Sequence, residues 1–124
     1  IIMFAIEDWW TSDLYSFLTQ TPATFNIDAL EDTEVLQISK NNLEKLFEHI
    51  PKFERLFRIM FQKAFIAQQQ RISSNLSLTA EERYTHFVSK YPQLEQRIAQ
   101  KQMAAYLGIT PEFLSMLRKK KAGK

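Results

Sequence analysis

Cysteine is absent from the 124 residues, which excludes disulfides, cysteine zinc sites and cysteine-ligated iron–sulfur clusters within this chain. Histidine is almost as scarce. His49 and His86 stand far apart without metal-ligand spacing, so neither a metal centre nor another cofactor is expected. Glycine occurs twice, and not at all in residues 1–50, which removes the usual means of bringing backbone close to a phosphate there. No apolar run approaches the roughly 20 residues that cross a bilayer, and the first residues lack the basic-then-apolar order of a signal peptide. A cytoplasmic protein without membrane contact is expected. Catalytic groupings are missing too: His86 and Ser89 have no acid at a useful spacing, while Glu81 and Glu82 complement the dipole where a helix begins. Enzymatic activity is therefore not expected. The chain also lacks an initiator methionine and opens Ile1-Ile2-Met3-Phe4 in what reads as a β-strand, so a fragment of a longer protein is expected.

What is present is an ordinary folding composition, 45% hydrophobic, enough for one core or two small ones. The net charge of +2 conceals a polarity. Residues 1–50 carry nine acids and two bases, whereas residues 51–124 carry fourteen bases and five acids. A polyanion would repel the first part and attract the second.

Strands are expected at residues 1–6, 25–29 and 34–38, with a short helix or turn at residues 13–18 ended by Thr21-Pro22. Asn41 or Asn42 can cap a helix reaching about Ile50, whose apolar face is Leu43, Leu46, Phe47 and Ile50. Pro51 suits the first turn of a longer helix reaching about Asn75. Along it Phe53, Phe57, Met60, Ala64 and Ala67 step by four, three, four and three, the rhythm of a coiled-coil seam. Leu56, Ile59, Phe61, Phe65 and Ile72 form a second stripe. A helix apolar on two sides must bury both, so homodimerisation through this helix is expected, an intramolecular core helix being the alternative. Thr79-Ala-Glu-Glu82 is a capping box, and its helix carries Tyr84, Phe87 and Val88 to a stop at Tyr91-Pro92.

The densest signal lies between Gln100 and Lys119. Two helices crossing tightly need a small residue at the crossing, a turn residue that accepts positive φ, and apolar residues inside the angle. Ala104, Gly108 and the set Met103, Leu107, Ile109, Leu114 and Leu117 meet these needs. Thr110 is a good N-cap, with Pro111 and Glu112 in the first turn of the second helix. Such a helix-turn-helix can serve packing alone, but from Arg97 onward seven bases face the single acid Glu112, which favours nucleic acid. Thr110, Glu112 and Ser115 are then expected in the major groove, with Glu112 accepting from cytosine N4. Arg118, Lys119, Lys120 and Lys101 are expected at phosphates.

Four segments, Phe4-Ala-Ile-Glu-Asp-Trp-Trp10, Phe25-Asn-Ile-Asp-Ala-Leu-Glu31, Leu78-Thr-Ala-Glu-Glu-Arg-Tyr84 and Tyr106-Leu-Gly-Ile-Thr-Pro-Glu-Phe-Leu-Ser115, carry a family likeness. On them the chain resembles the Crp/Fnr family of bacterial transcription regulators, in particular Bacteroidetes-type members with a divergent cyclic-nucleotide-binding cassette. The resemblance implies an α+β chain: part of a cyclic-nucleotide-binding-like β-roll over residues 1–50, a dimerisation helix over 51–76, and a winged-helix-type helix-turn-helix domain over 77–124. It implies double-stranded DNA, a second copy of the chain, RNA polymerase and an unidentified small-molecule effector as partners.

The family's phosphate-binding segment falls on Ser12-Asp13-Leu14, and its arginine on Ala23, followed by Thr24. Ala23 supplies no bidentate cation, so control by cyclic AMP is not expected. A different effector would sit among Trp9, Trp10, Asp13, Ala23 and Thr24, although Trp9 and Trp10 also suit core or interface anchoring. Met116 stands where related sequences carry arginine, able to meet a thymine methyl or to pack. With few residues after Arg118, no hairpin wing is expected, and Lys119, Lys120, Lys121 and Lys124 are expected to take over part of its phosphate contact. The expectation is a homodimeric DNA-binding regulator. The alternative is a small-ligand sensor or interaction module whose helical end binds a protein.

Overall fold

The computed structural model describes residues 1–123. Lys124, one of the expected phosphate contacts, lies outside them. The protein is all-helical, 63% helix with no strand among the described residues, which overturns the expected α+β class and its β-roll. Residues 1–6, 25–29 and 34–38 are irregular instead. A strand is held by a ladder of backbone bonds and by burial of one face. None of these segments forms a ladder, and in the second and third the apolar side chains are largely open: Ile27, Val35 and Leu36 are 64%, 68% and 103% exposed. Their β-branched and apolar composition is thus insufficient without a sheet to join.

Among the described residues seven helices follow one another: α1 (Leu14–Thr19), α2 (Lys40–His49), α3 (Pro51–Ser77), α4 (Ala80–Lys90), α5 (Pro92–Glu95), α6 (Gln100–Leu107) and α7 (Pro111–Lys121). The chain divides into two compact units, Ala5–Ala67 and Ile1–Phe4 with the chain from Gln68 onward.

In the first unit, Asp13 caps α1 by accepting from Ser16 N–H, and Gln20 ends it in the left-handed region at φ 54°. Ser39 caps α2, ahead of the expected Asn41 or Asn42, because its hydroxyl accepts from Asn42 N–H and leaves both asparagines inside the helix. Leu43 and Phe57 are the buried residues here. Phe57 meets Trp10, Phe47 and Phe61 at ring separations of 4.7, 5.2 and 6.0 Å.

The second unit holds the larger core. Tyr84, Phe87 and Val88 of α4, Leu94 of α5, Met103, Ala104 and Leu107 of α6, and Leu114 and Leu117 of α7 are all buried, with Ile98 between α5 and α6. Each large apolar side chain so buried contributes about 1.5–3 kcal/mol. The capping box forms as its spacing predicts, with Thr79 Oγ1 accepting from Glu82 N–H and Glu82 Oε2 from Thr79 N–H. Pro92 does more than stop α4. It occupies the first turn of α5, a four-residue helix that the sequence pattern did not suggest.

Candidate nucleic-acid interface

The α6–α7 corner is built from local chemistry. Ala99 has no side-chain acceptor, so only the returning half of a capping box forms at α6, where Gln102 Oε1 accepts from Ala99 N–H at 3.2 Å. At the other end Gly108 adopts φ 71°, and Ile109 N–H reaches back to the Ala104 carbonyl at 3.0 Å. That six-to-one closure is a Schellman turn, and it needs a residue at ease in the left-handed region. Thr110 then restarts the chain as α7, its Oγ1 accepting from Phe113 N–H at 3.2 Å, with Pro111 in the first turn. Ala104, 1% exposed, leaves room at the crossing, and Met103 and Leu114, both 0% exposed, fill the angle.

Polar side chains lock this corner from behind. Gln100 Nε2 donates to the Pro111 carbonyl at 2.7 Å, while Gln100 Oε1 accepts from Arg118 Nη1 at 3.4 Å. Arg118 also lies 3.5 Å from Met103 Sδ, so its guanidinium, expected at a phosphate, is instead turned against α6. Lys120, expected likewise, pairs with Glu81 at 2.8 Å, and Lys121 pairs with Glu95 at 3.5 Å. The same Glu95 accepts from Tyr84 Oη at 2.8 Å, and burial together with this carboxylate pushes the Tyr84 phenol above its ordinary range. The basic end of α7 is thus partly neutralised by acids of α4 and α5.

What remains outward on α7 is Glu112, Phe113, Met116 and Lys119, residues whose three- and four-residue spacing puts them on one face. Lys101 is exposed on α6. Ser115 is half-buried, and Thr110 is exposed but engaged as the cap. Phe113 was not singled out by its sequence position. Its signal was the unbroken apolar run it makes with Leu114, of which a helix can bury only one member here.

Two arginines also escaped sequence reasoning. Arg83 donates to the Leu107 carbonyl at 3.2 Å and to the Leu78 carbonyl at 2.9 Å. Arg71 donates to the Tyr106 carbonyl at 3.1 Å and to the Ile1 and Ile2 carbonyls, its guanidinium 3.9 Å from the Tyr106 ring centre. Cations on the last carbonyls of α6 suit the negative end of its dipole. Comparison with protein-family models, curated proteins and solved structures finds no match for this chain. Its function therefore rests on the geometry itself.

The expected effector residues divide. Asp13 and Ala23 line a shallow, open depression with Ser16, Phe17, Thr21 and Phe25, whereas Trp9 and Trp10 do not line it. Asp13 Oδ2 accepts from the N–H groups of Thr24 at 2.8 Å and Phe25 at 3.0 Å, and Oδ1 from Ser16 N–H. Trp10 belongs to the Phe57 cluster. Of the expected seam on α3, Phe57 is buried within its own unit, Phe53, Met60 and Ala67 are half-buried, and Ala64 is exposed. Leu56, Phe61, Phe65 and Ile72 of the other stripe are 46%, 44%, 65% and 59% exposed. Among the described residues no helix is long and apolar enough to cross a membrane, and no group of acids and histidines could hold a metal ion.

Proposed function

We propose that this chain is a sequence-specific, DNA-binding transcription regulator that acts as a homodimer. The observation that carries the reading is the α6–α7 corner, with a buried apolar angle, a Schellman turn at Gly108, a capped second helix and an outward face on that helix. On this reading α7 enters the major groove with Glu112 at a base edge, while Lys101 and Lys119 meet phosphates. Arg118 is a positioning residue that fixes α7 on α6. The charge distribution supports it, since residues 68–124 carry ten bases and four acids.

The resemblance to Crp/Fnr regulators enters this proposal through the segments on α4, α6 and α7. The exposed apolar side chains of α3 supply the dimer contact, and two copies set their α7 helices about 34 Å apart on a pseudo-palindromic site. Cyclic AMP does not control the protein, because Asp13 puts a carboxylate on the N–H groups of Thr24 and Phe25 and Ala23 offers no cation. A cytoplasmic location and a contact with RNA polymerase go with this reading.

A second reading has its own support. Because Lys120 and Lys121 are paired with Glu81 and Glu95, the helical end is less basic than its composition, and a protein partner is the alternative to DNA. Duplex binding at rising salt separates the two. For DNA, log K falls linearly with log salt by about 0.9 per phosphate neutralised, and Lys101→Ala with Lys119→Ala makes the slope shallower by about 1 for each lysine removed. Affinity that is flat in salt would refute DNA binding.

A further inference from the structure

The outward face of α7 holds two large apolar side chains among charged neighbours, Phe113 at 37% and Met116 at 52% exposed. They are three residues apart, so their side chains adjoin on one helix face. Leu114 and Leu117 fill the buried face of α7, and Phe113 and Met116 lie to one side of it with part of their surface open. Glu112 precedes them and Lys119 follows, both exposed.

Resting on the DNA-binding reading above, we infer that Phe113 and Met116 read the 5-methyl groups of thymines on neighbouring base pairs. The major groove offers one apolar feature, the thymine methyl, and apolar side chains recognise it by contact. The helix rises about 1.5 Å per residue, so three residues span about 4.5 Å, close to the roughly 3.4 Å step of a base pair. Lys119, one turn beyond Met116, matches the charge of the phosphates that border such a groove. A protein occupant is the weaker fit. The outward neighbours Glu112 and Lys119 are charged, whereas the centre of a protein interface is depleted of charge.

The test starts from a random-sequence duplex pool selected on the full chain. The best duplex is then remade with single deoxyuridines in place of thymines, which removes one methyl group and keeps base pairing. The expected result is two adjacent base pairs, each with a thymine, at which deoxyuridine weakens binding about fourfold, the worth of one buried methyl. Phe113→Ala abolishes the sensitivity at one of the two positions and Met116→Ala at the other. The deoxyuridine measurements alter only the DNA, so they stand whatever the variants' folding. Specific binding that ignores every methyl overturns this inference and leaves the DNA-binding reading intact. Failure to retain any duplex overturns both. A change in the sedimentation of DNA-free Phe113→Ala would assign the patch to contact between copies and likewise overturn it.

Discussion

Asp13 shows how much one side chain decides in the first unit. Its carboxylate gathers three backbone N–H groups, those of Phe25, Thr24 and Ser16 in order of effect, and they hold its pKa below the ordinary aspartate value. A group whose pKa folding lowers stabilises the folded state above the unfolded titration range and loses that effect as pH falls through the folded value. Hydrogen-exchange protection at Thr24 and Phe25 is therefore expected to drop in acid, with Asp13→Asn showing the lower protection already at neutral pH. Unchanged protection in that variant would remove the clasp. Arg83 has a comparable role in the second unit. Arg83→Met keeps the stem but loses the bonds to the Leu78 and Leu107 carbonyls, and urea unfolding is expected to report about 1–3 kcal/mol of destabilisation. The size of the loss is limited because Arg83 Nε is itself buried without a partner. Neither role was legible beforehand. Asp13 reaches residues 24 and 25, and Arg83 reaches residue 107, and no local spacing announces such contacts.

Helix ends were the most legible elements, because capping is chemistry within four residues. Thr79 with Glu82, Pro51, Gly108 and Thr110 with Pro111 all stand where their residue types suggest. At α2 the cap is Ser39 rather than the asparagines that follow it, and α5 forms where Tyr91-Pro92 suggests only a stop. At Gly108 a Cβ would meet nothing within 4 Å, so Gly108→Ala tests conformation alone. About 1–2 kcal/mol of destabilisation in thermal unfolding is expected from the left-handed backbone, with Gly108→Asn milder. If alanine costs nothing, the turn does not depend on its φ of 71°. The stripes of α3 were legible as apolar, but not which of them a neighbour covers. Met60→Glu with Ala64→Glu is expected to reduce the sedimenting mass if the Phe53-to-Ala67 seam joins two copies, whereas charges placed at Phe61 and Phe65 should do so if the more exposed stripe does.

Charge is the property of the molecule as a whole that points to a partner, and it is uneven. Residues 1–67 carry ten acids and six bases, against four acids and ten bases in the remainder. A duplex bound by this protein is therefore expected to lose affinity steeply between low and moderate salt, and Glu81→Ala, by freeing Lys120, should steepen that slope in filter-binding or anisotropy measurements. A slope unmoved by Glu81→Ala would mean that Lys120 takes no phosphate even when released. The amino-acid sequence alone determined what depends on neighbours in the chain: helix periodicity, caps, the glycine of the turn, the crossing alanine and the segregation of charge. It misjudged residues 1–6, 25–29 and 34–38, because a strand exists only by pairing and the composition of Ile27, Val35 and Leu36 cannot say whether a partner is at hand. Only the tertiary structure decided which cations of the helix-turn-helix remain outward. Arg118 turns to Gln100 and Lys120 to Glu81, while Phe113 and Met116 are left exposed, since these outcomes depend on helices distant in sequence.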